Sequence, residues 1–218
     1  MILTLKQDEL GARGYEAVAS HLRSSGIIVY PTETSYGIGA NALNNEAVKK
    51  IYGIKGRDFS KPLPVIVKNL KMLISIAATN HREEDIISRF WPGPLTILFK
   101  ARKSIENLAF IAGSNLVGAR VSSHPFPAEL FEHVDFPVTA TSANISGEGE
   151  IDNFENVARL FSGINLGNHS EKIMLIDGGR LNGGTSTVIQ VKKKGFSFVR
   201  EGENNIKERL LCFIKNDK

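Results

Sequence analysis

The sequence predicts an α/β fold built on a mixed, substantially parallel sheet. Short apolar runs alternate along the chain with segments of helical periodicity, which is the pattern of an α/β protein. A chain of 218 residues is long enough for one domain with a full hydrophobic core and too short for two such domains. No repeat period, low-complexity tract or linker-like stretch interrupts it. We therefore expect a single domain over residues 1–218.

Helices are predicted where apolar residues recur at intervals of three and four. In residues 14–25 such residues share one face, and Gly26 ends the helix. Asn44 can cap a second helix that runs to Ile54 and has Gly56 just beyond its end. The remaining helical patterns cover residues 82–90, 127–133, 154–161 and 203–214.

Strands are predicted where short apolar, often β-branched runs are bounded by turn residues. Residues 192–195, three lysines and a glycine, join two such runs as an exposed hairpin turn. The predicted strands cover residues 27–30, 64–67, 95–99, 117–121, 137–141, 173–176, 187–191 and 196–199. Active sites in such sheets lie on loops at strand ends, so the polar residues there are the functional candidates.

The composition is that of a globular protein compatible with a polyanionic substrate. The net charge of +4 and a pI near 9.1 fit both a nucleoside triphosphate and a tRNA without selecting either. The single cysteine, Cys212, excludes an internal disulfide framework, and its apolar helical run predicts that it is buried. The first residues do not resemble a signal peptide, and no apolar run approaches the ~20 residues needed to cross a bilayer. We expect a cytoplasmic protein.

Several enzyme classes are excluded by missing motifs. The chain has no P-loop and no nucleophile elbow, and Gly147 and Gly149 lack the third glycine of a dinucleotide-binding fingerprint. The histidines show no metal-ligand spacing, so we expect no dedicated metal site. These histidines are His21, His81, His124, His133 and His169.

Polar residues follow the first predicted strand and exceed what packing requires. Thr32, Glu33 and Thr34 come directly after it, and Gly37 and Gly39 permit a close approach of the backbone to a ligand. The segment is therefore a candidate ligand-binding loop. The alternative is a turn of the ST type with a capping carboxylate.

Two further segments could bind phosphate. Lys55, Arg57 and Lys61 lie near the end of the second helix, where they either pair with the negative end of the helix dipole or clamp a phosphate. Ser142 and Asn144 follow a predicted strand start and offer a hydroxyl and an amide to an anion, although a plain capping loop would look similar.

Arg120 stands inside an otherwise apolar strand. Arginine is rarely buried without a partner, so either a structural carboxylate or an anionic ligand must satisfy it. We favour the ligand, because an unpaired buried charge costs about several kcal/mol.

Seven short motifs occur in order between about residue 15 and residue 205. They are Pro31-Thr32-Glu33-Thr34 with Tyr36-Gly37; Lys55 and Arg57 with Lys61-Pro62-Leu63; Trp91-Pro92-Gly93-Pro94-Leu95-Thr96; Arg120 with His124-Pro125; Ser142-Ala143-Asn144 with Ser146-Gly147; Ser186-Thr187-Val188; and Arg200. Together they resemble the YrdC/Sua5 family of threonylcarbamoyl-AMP synthases. The resemblance implies an open, twisted mixed sheet flanked by helices, with a large, basic, concave cavity.

The resemblance also implies a reaction. Such an enzyme is a nucleotidyltransferase that converts L-threonine, bicarbonate and ATP to threonylcarbamoyl-AMP and pyrophosphate, for the N6-threonylcarbamoyladenosine modification of tRNA. Mg²⁺ is expected with ATP, through phosphate oxygens rather than a protein cage. The implied partner is the downstream threonylcarbamoyl-transferase complex, and direct contact with tRNA is left open. A chain that stops at Lys218 resembles the short, single-domain form.

Carried over position by position, the resemblance implies two groups of site residues. On the threonine side, Arg120 pairs with the carboxylate, and on the ATP side Lys55 neutralises the transferring group. The implied ATP-side residues are Lys55, Arg57, Lys61, Ser142, Asn144 and Arg200, of which Lys55, Arg57, Ser142 and Asn144 are the catalytic candidates. The implied threonine-side residues are Thr34, Arg120, Ala140 and Ser186.

The sequence departs from the family at two places. Ile66 stands where many relatives carry a histidine that helps to hold threonine, and Glu148 and Glu150 replace a Pro/Ser-rich stretch near the nucleotide. Two alternatives are therefore kept: a paralogous adenylate-forming enzyme with another acceptor, and a non-catalytic RNA-binding module. The module is disfavoured because the aromatics mostly sit in apolar runs rather than among cations.

Overall fold

The computed structural model describes residues 2–163, 173–181, 184–193, 195–203 and 205–216. Two mixed sheets are flanked by helices, which confirms the predicted α/β class. The helices are α1 Ala12–Arg23, α2 Asn45–Lys55, α3 Leu70–Ile76, α4 His81–Phe90, α5 Pro125–Leu130, α6 Phe154–Gly163 and α7 Ile206–Asn216. The strands are β1 Ile2–Lys6, β2 Ile27–Tyr30, β3 Gly37–Gly39, β4 Val65–Ile66, β5 Ala77–Ala78, β6 Leu95–Ala101, β7 Leu116–Arg120, β8 Val138–Thr139, β9 Thr141–Ser142, β10 Ile173–Asp177, β11 Thr187–Val191 and β12 Phe196–Arg200.

Both sheets combine parallel and antiparallel pairs. The first has the order β1-β10-β2-β3-β9, in which β1, β10 and β2 are parallel. The second has the order β12-β11-β6-β7-β4-β8, with β5 paired to β6. Its parallel pairs are β11 with β6 and β4 with β7, and its other pairs are antiparallel.

The chain passes from one sheet to the other at Ala140. Strand β8 pairs with β4 in the second sheet, whereas β9 pairs with β3 in the first. Between them, the N–H of Ala140 donates to the carbonyl of Pro64 at 2.8 Å. The prediction of one strand over residues 137–141 is therefore wrong, because two different sheets pair with its two halves. The crossing places Ser142 where the sheets meet.

The ends of α2 form as their residue types predict. The side chain of Asn44 accepts from the N–H groups of Glu46 and Ala47 at 3.0 and 3.1 Å. Gly56 ends the helix in the left-handed region at φ 56°, which costs a residue without a Cβ little. These caps fix where α2 stops, and so where Lys55 and Arg57 lie.

The hydrophobic core joins the two sheets. The larger cluster includes Ile38 of β3 and Phe99 of β6, and it also packs α2 through Ile51. The smaller cluster contains Tyr30 of β2 and Ile66 of β4. Because each cluster draws on both sheets, neither sheet has a core of its own.

Several elements differ from the predictions. Strands β1, β3 and β5 and helix α3 were not predicted: β1 is an edge strand with exposed residues, and the others span seven residues or fewer, which is too short for a clear period. Cys212 is exposed, so the prediction of a buried cysteine is wrong. The hairpin between β11 and β12 is confirmed by the N–H of Lys192, which donates to Gly195 at 3.0 Å. Lys194 and His169 lie outside the described residues.

Candidate active site

A cavity of about 500 Å³ opens where the two sheets meet. Its walls combine residues of β3 and β9 in the first sheet with residues of β6, β7, β11 and β12 in the second. A neighbouring cavity of about 570 Å³ shares four residues with it, namely Ser35, Ser142, Glu150 and Arg200. Of the predicted site residues, those in the wall of the first cavity are Thr34, Arg57, Arg120, Ala140, Ser142, Ser186 and Arg200.

The remaining predicted residues lie outside that wall. Asn144 borders the second cavity. Among the described residues, Lys55 and Lys61 belong to neither wall: Lys55 is buried and Lys61 is exposed. Most of the predicted site residues therefore line one cavity, but these two lysines do not contribute to its surface.

The loop after β2 forms a compact turn. The hydroxyl of Thr32 donates to the carbonyl of Ser35 at 2.7 Å and accepts from the N–H of Thr34 at 3.3 Å. The Thr34 hydroxyl lies 3.0 Å from the Thr32 hydroxyl and borders the cavity. The turn of the ST type therefore forms, although Glu33 contacts Arg120 rather than capping the turn, and ligand binding by Thr34 stays a prediction.

Arg120 is buried at the end of β7 and borders the cavity. Its Nε lies 3.2 Å from Oε1 of Glu33, and the two side chains are 7% and 10% exposed. The contact is an ion pair without good hydrogen-bond geometry, because neither atom has a hydrogen-bond partner. Glu33 is thus a structural carboxylate beside Arg120, while the guanidinium makes no hydrogen bond to any described residue.

Lys55 lies beneath the loop that follows β9. It is only 1% exposed, and its Nζ donates to the carbonyls of Ser142 and Asn144 and to Oδ1 of Asn144. Burial lowers the pKa of Lys55 to about 8; the charge of Arg57 acts in the same direction, and Glu150 opposes it. The ammonium group therefore holds the loop rather than facing the cavity.

Ser142 and Asn144 are tied to each other as well. The Ser142 hydroxyl donates to Oδ1 of Asn144 at 2.6 Å, and Nδ2 of Asn144 donates to the carbonyl of Glu148. Together with the hydrogen bonds from Lys55, these contacts hold the loop in a conformation in which Ser142 borders both cavities.

Arg57 stands at the mouth of the first cavity. Its Nε and Nη2 donate to the carbonyls of Lys61 and Pro62 at 3.3 and 3.1 Å. These bonds hold the guanidinium through the chain that follows α2. A guanidinium with such support can bind phosphate oxygens in two-pronged fashion.

Arg200 is supported from the opposite wall. It donates to the carbonyl and the hydroxyl of Ser186 at 3.0 and 2.8 Å, and the Ser186 hydroxyl lies 3.1 Å from that of Thr96. The Arg200 side chain is 47% exposed, and its Nη1 is 3.9 Å from Oε1 of Glu150. Glu150 also accepts from the hydroxyl of Ser35 at 2.5 Å.

The two cavities differ in charge. Three arginines and one glutamate border the first, whereas the second has Arg200 with several carboxylates. Those carboxylates are Glu148, Glu150, Asp152 and Glu203. Even so, no group of three or more His, Cys, Asp or Glu side chains in the described part of the chain could hold a metal ion. None of the described helices is long and apolar enough to cross a membrane.

Sequence reasoning left the roles of four side chains open. Glu33 was recognised as surplus to packing, but its partner Arg120 is distant in sequence; Ser122, whose hydroxyl donates to Glu33, carried no signal. Glu150 was noted only as a departure from the family. Ile66 packs in the smaller core cluster and is absent from the cavity wall, so it is a core residue.

An α/β protein with a cavity between two mixed sheets that three arginines border is the class that this fold and site define. The sequence profile of the Sua5/YciO/YrdC family, described as "Telomere recombination", matches residues 20–202, and the chain belongs to this family. A threonylcarbamoyl-AMP synthase of Bacillus subtilis is 33% identical over 172 residues, which are 78% of this chain and 48% of the relative. One of Methylobacillus flagellatus is 34% identical over 150 residues, 67% of this chain and 82% of the relative.

Solved structures agree in fold. The structure of Pyrococcus abyssi Sua5 complexed with L-threonine superposes with a TM-score of 0.83 at 30% identity, covering 97% of this chain and 61% of that one. The structure of Escherichia coli YciO gives a TM-score of 0.81 at 22% identity, covering 95% and 98%, and supports the fold alone. The chain spans about half the length of the first curated relatives that it matches.

Proposed function

We propose that this protein is an L-threonylcarbamoyladenylate synthase, a nucleotidyltransferase that acts on L-threonine, bicarbonate and ATP. The observation that carries the proposal is the buried guanidinium of Arg120, which borders the cavity and makes no hydrogen bond to any described residue. The carboxylate of an amino acid would satisfy it. Family membership and relatives named threonylcarbamoyl-AMP synthase at 33% and 34% identity support the same function.

In this proposal, threonine binds at the inner end of the cavity. Its carboxylate pairs with Arg120, and its amino, hydroxyl and methyl groups contact Thr34, the main chain at Ala140 and Ser186. These residues share the cavity wall, and two of them carry hydroxyls that are already held by neighbouring side chains. A hydroxyl fixed in this way loses little freedom when it binds a ligand.

ATP binds at the arginine-rich part of the cavity. Arg57 and Arg200 contact its phosphates, Lys61 approaches from the exposed chain after α2, and Ser142 and Asn144 hold the nucleotide near the reacting centre. Bicarbonate takes up a proton and loses water to give carbon dioxide, which the threonine amine captures as a carbamate with release of a proton. A carbamate oxygen then attacks the α-phosphorus as pyrophosphate leaves. Both reactants are anionic, so fixed cations and donors contribute more than an acid–base pair.

Lys55 would act through the loop that it holds. Its three acceptors are the carbonyl of Ser142 and the carbonyl and amide oxygens of Asn144. Lys55 would therefore affect the reacting centre by holding these two residues in place. Direct neutralisation of the transferring group stays a prediction. Mg²⁺ would enter with ATP and be held by phosphate oxygens, since that ion keeps most of its waters and few protein ligands.

We also propose the setting of the reaction. The cytoplasm supplies ATP, bicarbonate and threonine, and the product would pass to a separate threonylcarbamoyl-transferase complex that modifies tRNA. A single domain over residues 1–218 is supported by core clusters that draw on both sheets.

The test is pyrophosphate release from ATP and bicarbonate by the purified protein, with and without threonine. Release that depends on threonine, and much less on serine or alanine, supports the synthase. Turnover with a different acceptor would assign the paralogous adenylate-forming enzyme, and a folded protein with no turnover would favour an RNA-binding module. Both of these outcomes contradict the proposal.

A further inference from the structure

The carboxylate of Glu33 lies behind Arg120 as seen from the cavity. Arg120 belongs to the cavity wall and Glu33 does not, yet their side chains are in contact, with Oε1 of Glu33 3.2 Å from Nε of Arg120. Both side chains are at least nine-tenths buried. Oxygen Oε1 has no hydrogen-bond partner among the described residues, and Arg120 is the cation that it contacts.

The second oxygen of Glu33 is anchored to the chain beyond β7. Oε2 accepts from the hydroxyl of Ser122, and that hydroxyl accepts from the N–H of His124 at 3.2 Å. His124 in turn caps α5, because its Nδ1 accepts from the N–H of Phe126 at 3.2 Å. The carboxylate is therefore fixed by a helix N-terminus and is not a mobile surface group.

This arrangement leaves a defined part of the guanidinium for a ligand. The Glu33 contact is made at Nε, so the two Nη groups remain to bind a carboxylate side by side. Because the guanidinium is planar, the ion pair at Nε favours those orientations of the plane that keep Nε beside Oε1 of Glu33. The neighbouring negative charge offsets that of Arg120, which favours a singly charged ligand over a polyphosphate.

We propose that Glu33 is a positioning and specificity residue: it orients Arg120 for the amino-acid carboxylate and keeps ATP phosphates away from it. The inference rests on the proposed function for the identity of the amino acid. It adds a reason why threonine and ATP would occupy different parts of the cavity, since no buried carboxylate among the described residues contacts Arg57 or Arg200 so closely.

The experiment compares Glu33→Gln with wild type by titration calorimetry and steady-state kinetics. We expect the Kd for L-threonine and the KM for threonine to rise about tenfold or more, while the KM for ATP changes less than about twofold. We also expect inorganic tripolyphosphate to become a competitive inhibitor against threonine in the variant only.

The matched control is Glu83→Gln, the same chemical change at a buried glutamate of the α4 capping box, which glutamine can also form. Ser122→Ala removes the other anchor of Glu33 and should give a smaller rise in the same threonine constants, and it serves as the test if Glu33→Gln does not fold. A folded Glu33→Gln protein with wild-type threonine binding, or with equal changes for threonine and ATP, overturns the inference. Wild-type protein that binds an amino acid without pyrophosphate release would instead overturn the proposed function, and the same calorimetric comparison would still decide the role of Glu33.

Discussion

Replacement of Lys55 by methionine separates two roles for the buried ammonium group. Methionine has nearly the same length and volume but no charge and no donor. If Lys55 acts by holding the loop of Ser142 and Asn144, the variant should have a looser loop and weaker ATP binding. If the charge acts directly on the transferring group, turnover should fall at an unchanged KM for ATP.

The expected loss of stability can be worked out from the contacts. The carbonyls of Ser142 and Asn144 lose the ammonium, and each buried acceptor left without a partner costs about 1–3 kcal/mol. Oδ1 of Asn144 keeps the Ser142 hydroxyl. In the other direction, the pKa of Lys55 is lowered from 10.5 to about 8, so removing the buried charge returns about 3 kcal/mol. The net loss should not exceed about 3 kcal/mol.

The loss of ATP binding should be of the same order as the loss of stability. A displacement of the Ser142 loop by about 1 Å would raise the KM for ATP by roughly tenfold to a hundredfold, because Ser142 and Asn144 would no longer lie where they are proposed to contact the nucleotide. Urea unfolding measures the loss of stability, and the ATP dependence of pyrophosphate release measures the KM. Hydrogen exchange of residues 142–148 reports the conformation of the loop directly.

Lys50→Met is the matched control, since Lys50 is a partly buried lysine of the same helix that donates to the carbonyl of Ser25, far from the cavity wall. It should leave the KM for ATP unchanged. The reasoning is refuted if Lys55→Met keeps the KM for ATP and the loop protection of wild type, whatever happens to turnover.

Three further predictions follow from the same contacts. Arg57→Ala should reduce kcat/KM for ATP by about a hundredfold or more with little change in melting temperature, because it removes a phosphate partner held only by main-chain carbonyls; normal ATP kinetics in a folded variant would contradict that role. Glu150→Gln should lower the KM for ATP severalfold, since a carboxylate 3.9 Å from Arg200 opposes phosphate binding by about 1 kcal/mol, and an ATP titration with an unchanged or higher KM would count against it. Burial lowers the pKa of His124 below its usual 6.5, although the charge of Glu33 opposes this shift. The Nδ1 atom of His124 must be unprotonated to cap α5. The cap therefore stabilises the protein above about pH 6.5, and this contribution is lost as the pH falls through the pKa of His124 in the folded protein. His124→Asn should keep the cap and flatten this part of the pH dependence of unfolding, and parallel slopes for both proteins would show that His124 does not titrate in this way.

Local features were predictable from the sequence because local chemistry determines them. The cap at Asn44 and the left-handed Gly56 depend on residues a few positions away, and both form as predicted. The alternation of elements likewise predicted the α/β class. Elements of two or three residues, such as β3 and β5, were missed because they have no measurable period.

Contacts between distant segments could not be predicted in this way. Residues 137–141 form an apolar run that fits one strand, but Ala140 is where the chain leaves one sheet for the other. Lys55 was expected either to pair with the negative end of the helix dipole or to act on a phosphate. Its burial under the loop of Ser142 depends on partners nearly ninety positions away.

The sequence by itself determined the class of the fold, the family through its ordered motifs, and the region of the chain that builds the cavity, because these depend on residue type and order. Only the tertiary structure decided which cations border the cavity, which one is buried beneath it, and which carboxylate stands behind Arg120. Those outcomes depend on strand pairing and burial across the two sheets, and such pairing is set by the summed packing of the whole chain rather than by any local pattern.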